Sequence, residues 1–271
     1  MINRKRSIFT GLALILLLTS CAASDHSTER REIVRHLYTS TLQILVRQPD
    51  GVRRTGSGVV IHADEKTGDV YVVTAAHVIS DSKNLLVYVV GRFRRNTYPA
   101  TVVLRGMKED VAVIRTHVPG VVPAEVGDDA DLGQDVWVVS YPWGRRRTLV
   151  TGIVSQIAWP DGIKGGGQVP LAGPIQLLDA TAAYGTSGGG VFDTETGLLL
   201  GIVRGYRTVQ IPIPGADAKP VSLPVGGETT VVSISDIRKY MEANNLGHLL
   251  PKPVKNPPHL LPPDPGPPQQ Q

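Results

Sequence analysis

Three short segments of this 271-residue chain carry residue types suited to hydrolysis by a serine nucleophile. They bring a histidine, an aspartate and a serine in that order, in Thr74–His77, Asp110–Val113 and Gly185–Gly189. A serine hydroxyl is a poor nucleophile at neutral pH, so it needs an adjacent base, and that base needs a third group that fixes its tautomer. The spacing therefore predicts a catalytic set made of His77, Asp110 and Ser187.

The histidine and the aspartate both adjoin apolar runs. His77 follows Val70–Val73, so its backbone is expected to be fixed while its ring reaches a cleft. Asp110 precedes Val111–Ile114, and a carboxylate drawn into that environment needs a compensating donor, for which His77 is the obvious choice. Glu109 is the competing acid, but it precedes the apolar run and is expected to face solvent. We expect His77 as the general base and Asp110 as the group that orients it.

The serine stands in a glycine-rich stretch. Four glycines accompany Ser187 within Gly185–Gly190, and glycine allows backbone conformations in which successive N–H groups point at one spot. A phosphate-binding loop would need a lysine before the serine or threonine, and none is present. A lipase-type Gly-x-Ser-x-Gly elbow would need its histidine after the serine, where only His248 and His259 occur.

The N-terminus has the pattern of a secretory signal peptide. Arg4–Arg6 form a positive start, and Leu12–Leu18 form an apolar core shorter than the roughly 20 residues of a spanning helix. Leu18–Cys21 resembles the lipobox of bacterial lipoproteins, in which the cysteine is alkylated by diacylglycerol and becomes the mature N-terminus. Cys21 is the only cysteine of the chain, so no internal disulfide is expected. An ordinary signal peptide with a chance cysteine is the alternative.

Charge and histidine spacing argue against two other classes of function. The formal net charge is +4, and without Arg4, Lys5 and Arg6 it becomes +1, from 25 basic and 24 acidic residues. So small a charge does not favour a nucleic-acid partner. The histidines outside the catalytic set lack metal-ligand spacing; they are His26, His36, His62, His117, His248 and His259. We expect no metal and no other cofactor.

Between the ends, short apolar runs rich in β-branched residues predict an all-β fold. The runs are Thr41–Val46, Gly58–Ile61, Val70–Val73, Leu85–Val90, Ala100–Leu104, Val111–Ile114, Val136–Val139, Leu149–Val154, Ile175–Leu178 and Leu198–Val203. The catalytic segments divide them about evenly, which predicts two antiparallel six-stranded β-barrels with the site in the cleft between them. The runs do not alternate with helical patterns, so a parallel sheet is not expected.

Two helices and two long loops complete the pattern. A helix is predicted at Thr28–Leu37, and a short C-terminal helix is predicted at Ser235–Asn245 with Ser235 as its N-cap. Trp159–Gly173 and Val209–Gly227 are rich in glycine and proline and are predicted to be surface loops.

Several stretches together resemble the trypsin/chymotrypsin superfamily, most closely its bacterial periplasmic high-temperature-requirement branch. They are Gly56–Val60, Thr74–Ile79, Asp110–Val113, Val139–Gly144, Thr151–Ser155 and Thr186–Gly190, within residues 40 to 246. The order of histidine, aspartate and serine is that of chymotrypsin. We expect no counterpart of the PDZ domain of that branch, since nothing after Gly247 predicts a folded unit.

The resemblance implies a serine endopeptidase acting on polypeptides. It implies an oxyanion hole formed by the N–H groups of Gly185 and Ser187. It places Thr181, six residues before the nucleophile, at the base of the specificity pocket, with Arg204, Gly205 and Tyr206 on the opposite wall. Because Thr181 carries no charge, we expect cleavage after small or medium apolar residues. Asp179 is the one nearby acid that would change this preference by reaching in.

The predicted organisation has four parts. Residues 1–20 are a lipoprotein signal peptide, and residues 21–39 are a tether with a short helix. Residues 40–248 are the protease domain, and residues 249–271 are a disordered tail, since Pro251–Gln271 contains nine prolines. We expect the protein in the cell envelope, anchored through Cys21 and facing the periplasm. Ala22 stands where an aspartate retains lipoproteins at the inner membrane in some bacteria, so we expect the outer membrane. The alternative function is a lipid-anchored, non-catalytic binding protein with a protease-like fold, and the oligomeric state stays open.

Overall fold

The computed structural model describes residues 28–47, 51–79, 86–90, 96–158, 171–212 and 221–254. The predicted signal peptide, Cys21 and residues 255–271 lie outside the described residues, as does most of the predicted loop at Trp159–Gly173.

The first half of the chain forms a closed antiparallel barrel of six strands. These are β1 (Thr41–Arg47), β2 (Arg53–Ala63), β3 (Val70–Thr74), β4 (Leu86–Val90), β5 (Thr97–Gly106) and β6 (Val111–Thr116), in the order β1-β2-β3-β6-β5-β4. Their β-branched side chains suit a pleated, half-buried surface, and Ile44, Val60, Val72 and Ile114 are fully buried in the barrel core.

The second half forms another closed six-stranded barrel. The strands in this half of the chain are β7 (Ala130–Asp131), β8 (Asp135–Ser140), β9 (Thr148–Ile157), β10 (Ala172–Gly173), β11 (Ile175–Asp179), β12 (Gly190–Asp193), β13 (Leu199–Ile211) and β14 (Val221–Ser233). The barrel order is β11-β14-β13-β12-β8-β9, while β7 and β10 pair separately. The prediction of two six-stranded antiparallel barrels is confirmed.

A shared core joins the barrels and both helices. Helix α1 spans 28–40 and α2 spans Ile234–Ala243. Val73 of the first barrel and Ile202 of the second belong to the same buried cluster as Leu37 of α1 and Ile237 of α2. The barrels are therefore packed through an apolar interface that fixes the cleft between them.

Two sequence predictions need correction at the edges of the elements. The N-cap of α2 is Ser233 rather than Ser235, because the Ser233 hydroxyl accepts the N–H of Asp236. Within the predicted loop Val209–Gly227, the described residues extend β13 and β14, with Ile211 paired to Val221. The local content of glycine and proline does not predict that two separate segments will pair as strands.

Buried residues also occur on both sides of the range 40–248 predicted for the protease domain. Leu37, assigned to the tether, is fully buried, and Leu249 and Leu250, assigned to the tail, are 5% and 4% exposed. The N–H of Val254 donates to the carbonyl of Val126 at 2.9 Å. The packed region therefore includes α1 and continues through residue 254, since these apolar side chains complete the shared core.

Candidate active site

His77 is presented to the cleft by a 3₁₀ turn that follows β3. The turn spans Ala76–Ile79, and its other side chains are buried. The His77 side chain remains 45% exposed. The apolar neighbours hold the backbone in place, and the ring is left free to reach solvent and a ligand.

The Asp110 carboxylate accepts hydrogen bonds from the ring and the backbone of His77. Its Oδ2 lies 2.9 Å from His77 Nδ1, and its Oδ1 accepts the His77 backbone N–H at 3.0 Å. Because a carboxylate only accepts, Nδ1 carries the hydrogen and Nε2 faces outward as the basic nitrogen. Asp110 is 5% exposed and has a φ of 58°, in the left-handed region that aspartate tolerates better than most residues.

Glu109, the competing acid, faces a different part of the molecule. It lines a second cavity together with Tyr240 and Asp236. Burial and the Glu109 charge together raise the pKa of Tyr240 above its usual value. The structure thus brings Asp110, and not Glu109, against His77.

Ser187 follows β11 in a loop whose backbone conformation requires glycine. Gly188 has a φ of 79°, and a Cβ there would lie 2.1 Å from the carbonyl oxygen of Ser57. Gly185 has a φ of 89°. The Thr186 hydroxyl accepts the Ala183 N–H at 3.1 Å, which closes the loop on itself.

The backbone around Ser187 leaves two donors without a backbone partner. Among the described residues, the N–H groups of Gly185 and Ser187 donate to no backbone carbonyl. The Tyr184 carbonyl accepts the Trp143 N–H at 2.6 Å. Because C=O and N–H point in opposite directions across a trans peptide, the Gly185 N–H points away from Trp143. This arrangement is suited to binding an oxyanion.

A cleft of about 670 Å³ unites these groups. It is lined by Arg54, Thr55, His77, Val78, Asp110, Ala183, Tyr184, Gly185, Ser187, Arg204, Gly205 and Tyr206. Among the described contacts, no hydrogen bond joins His77 to Ser187. Such bonds commonly tighten only when substrate binds.

Ser57 is a positioning residue that sequence reasoning passed over. It is fully buried in β2, and its N–H donates to the Ser187 carbonyl at 2.9 Å. Its hydroxyl donates to the Gly185 carbonyl at 2.8 Å and accepts the Tyr141 N–H at 2.8 Å. The first barrel thereby holds the Ser187 loop of the second. Ser57 does lie in the Gly56–Val60 stretch that carried the resemblance.

The predicted specificity residues divide into two groups. Arg204, Gly205 and Tyr206 line the cleft. Thr181 is exposed and is absent from that lining, and Asp179 lies beside Gly227. Arg204 is also turned toward Asp110, with Nε 3.4 Å from Oδ2, a contact that sequence reasoning did not anticipate.

Two other kinds of feature are absent from the described residues. Within those ranges no cluster of histidine, cysteine, aspartate and glutamate could hold a metal ion. Over the same part of the chain, no helix has both the length and the apolar character to cross a bilayer.

Comparison with known proteins assigns the family. The trypsin-like peptidase domain matches residues 56–202, more than half of the chain. The chain belongs to the trypsin-like peptidase family. The matched residues include strands of both barrels and all three segments that carry the candidate triad.

Two named relatives are similar to this chain over part of its length. Protease Do-like 1, chloroplastic, of Arabidopsis thaliana is 36% identical over 166 residues, which cover 60% of this chain and 34% of that protein. The probable periplasmic serine endoprotease DegP-like of Pseudomonas fluorescens is 29% identical over 202 residues, covering 68% and 39%. The chain thus spans between a third and two fifths of each of these relatives.

A solved structure shares the architecture. The Rv3671c protease of M. tuberculosis in its active form superposes with a TM-score of 0.56 at 26% identity, covering 82% of this chain and 86% of the other. This chain therefore shares its fold with the solved structure over most of its length.

Proposed function

We propose that this protein is a serine endopeptidase that uses His77, Asp110 and Ser187. Ser187 Oγ attacks the scissile carbonyl, and His77 Nε2 takes its proton and returns it to the leaving amine. A water molecule, deprotonated by His77, then attacks the acyl-enzyme. This step releases the acyl group and returns the proton to Ser187. Asp110 keeps the imidazole in the required tautomer and stabilises its protonated form.

One observation carries this proposal. A nearly buried carboxylate contacts the inner nitrogen of His77 at 2.9 Å, and the same cleft holds Ser187 in a glycine-rich loop. A buried carboxylate is costly unless donors compensate it. Here those donors are the backbone and the ring of one histidine whose other nitrogen is left available as a base.

The N–H groups of Gly185 and Ser187 form the oxyanion hole of the proposed mechanism. Negative charge develops on the substrate oxygen only as the tetrahedral intermediate forms, so fixed donors favour the transition state over the bound substrate. Support comes from the Tyr184–Trp143 hydrogen bond, which keeps the Gly185 N–H turned away from the Trp143 loop.

A fluorophosphonate active-site probe tests the proposal directly, because only an activated serine is labelled. The wild-type protein should be labelled at Ser187, with Ser187→Ala as the negative control and Ser155→Ala, an exposed serine of β9, as the positive control. A wild-type protein that resists labelling contradicts the proposal and favours the non-catalytic binding protein.

Polypeptides are the proposed substrates, cleaved after small or medium apolar residues. The wall formed by Ala183, Gly205 and Tyr206 offers no acid to pair with a lysine or arginine side chain. Thr181 stays the proposed base of the pocket. A peptide-library profile dominated by lysine and arginine before the cut bond would refute this preference and point to Asp179.

The proposed location is the cell envelope, with a lipid anchor at Cys21. The lipobox-like Leu18–Cys21 motivates the anchor, and the periplasmic relative of P. fluorescens supports the compartment. Cys21→Ala should release the protein from membranes or block its processing. Wild-type protein that is soluble and carries no lipid by mass spectrometry would contradict the anchor.

A further inference from the structure

We propose that Arg204 is a positioning residue that holds Asp110 by its charge and so sets how far catalysis extends into acidic conditions. The proposal rests on the proposed catalytic function. It reassigns Arg204 from the wall of the specificity pocket to the support of the triad.

The β13 backbone aims Arg204 at the triad. Pairing between β13 and β14 shifts register between Val203 and Gly205, so Arg204 occupies a β-bulge. Bulges redirect a side chain and are common beside active sites. Val203 on the N-terminal side is fixed to the nucleophile loop, since its carbonyl accepts the Gly188 N–H at 2.7 Å and its N–H donates to Gly189 at 2.8 Å.

The contact places a full positive charge on the triad carboxylate. Arg204 Nε lies 3.4 Å from Asp110 Oδ2, the oxygen that is 2.9 Å from His77 Nδ1. The Asp110 side chain is 8% exposed, whereas that of Arg204 is 52% exposed. Water therefore screens the guanidinium partly and the carboxylate very little.

The charge balance decides the direction of the effect. A protonated His77 is favoured by the Asp110 carboxylate and opposed by the Arg204 guanidinium. Proton uptake from solvent is thus less favourable than it would be beside an unpaired carboxylate. Replacing Arg204 by a neutral residue should therefore move the acid side of the activity profile upward.

The other groups around His77 do not reverse this balance. Arg54 of β2 also lines the cleft, and Tyr184 and Tyr206 face it from the second barrel. Glu109, the acid nearest in sequence, lines the separate cavity beside Tyr240. Among the described residues that line the cleft, Asp110 is the only acid, so no second carboxylate there offsets the charge of Arg204.

The pH profile of Arg204→Gln tests the proposal. We expect the acid-side half-maximum of kcat/KM, measured from about pH 4 to about pH 9, to move upward by about 0.5–1 pH unit. Arg204→Lys keeps the charge and should restore the wild-type profile. Arg207→Gln is the matched control, because Arg207 lies on the same strand and pairs with Glu228 on the surface.

The alternatives predict different results. An Arg204→Gln profile that overlays the wild type overturns the proposal, and so does an equal loss of kcat at every pH. A rise of KM confined to acidic peptides, with the profile unmoved, would instead make Arg204 a substrate-binding residue.

A measurement without turnover separates this proposal from the catalytic one. In Ser187→Ala protein, the NMR titration midpoint of His77 should rise by a similar amount when Arg204 is changed to glutamine. A midpoint that does not move contradicts the role of Arg204 even in an active enzyme. A shifted midpoint in a protein that no probe labels would retain the electrostatic role and reject catalysis.

Discussion

The two barrels contribute to the cleft by different physical means. The first supplies two side chains, His77 and Asp110, joined by hydrogen bonds of 2.9–3.0 Å. The second supplies the Ser187 loop, in which Gly185 and Gly188 take positive φ angles and whose backbone N–H groups are the proposed oxyanion donors. One half is defined by which chemical groups it carries, and the other by which conformation its backbone adopts.

This difference predicts how each half fails. A side-chain pair loses function when its chemical group changes, even if the backbone is unmoved. A backbone site loses function when any side chain is added to the glycines that shape it. Ser57 connects the halves, since it belongs to the first barrel and bonds the carbonyls of Gly185 and Ser187 in the second.

Removing the nucleophile should have the largest effect. Ser187→Ala should lower kcat/KM for a peptide substrate at least about a thousandfold, because no other group forms the acyl intermediate. Thermal unfolding should be unchanged, since the hydroxyl faces the cleft. A loss below about a hundredfold would show that Ser187 is not the nucleophile.

Changing the orienting carboxylate should be nearly as severe. Asp110→Asn should lower kcat about a thousandfold or more, because an amide favours the wrong tautomer of His77. Glu109→Gln, its neighbour in sequence, should stay near wild type. Adding Ser187→Ala to Asp110→Asn should cost little beyond the serine change alone, since the groups act as one unit. A dead Glu109 variant would reverse the assignment.

A methyl group in the nucleophile loop should damage stability and activity together. In Gly188→Ala the new Cβ would clash with the Ser57 carbonyl and strain a positive φ, so we expect a loss of about 2–4 kcal/mol in unfolding free energy. Gly120→Ala is the control, because its φ is also positive but nothing lies within 4 Å. That change should cost about 1 kcal/mol. Equal losses in denaturant melts would remove the argument from close approach.

Weakening the connection between the barrels should have a moderate effect. Ser57→Ala removes a hydroxyl that serves the Gly185 carbonyl and the Tyr141 N–H, so unfolding free energy should fall by about 1–3 kcal/mol. The activity should fall with it, since the oxyanion donors lose their support. Ser155→Ala, on the exposed face of β9, should change neither quantity. Unaltered kcat in Ser57→Ala would mean that the loop holds its shape unaided.

Truncation should distinguish the packed end of the domain from the proline-rich remainder. Ending the chain after Val254 should leave peptide hydrolysis and melting temperature unchanged, because repeated proline cannot join a sheet or helix. Ending it after His248 removes the buried Leu249 and Leu250, so the melting temperature should drop by about 5 °C or more. Similar melting curves for both truncations would show that these leucines add little to the shared core.

Local sequence patterns determined much of this protein. Short β-branched runs predicted the strands of both barrels, because alternation and turn residues act over a few positions. The same patterns identified the segments of His77, Asp110 and Ser187, and Ser187 was recognisable from its surrounding glycines. The family resemblance then specified which backbone N–H groups would matter.

Only the tertiary structure decided which distant groups meet. The Ser57 hydroxyl bonds a loop that lies far along the chain, and Arg204 contacts Asp110 through a bulge that depends on pairing between β13 and β14. The burial of Leu249 beside Leu37 likewise needs both ends of the domain at once. Such contacts depend on register and packing across the whole chain, and the pattern around any single residue carries no information about them.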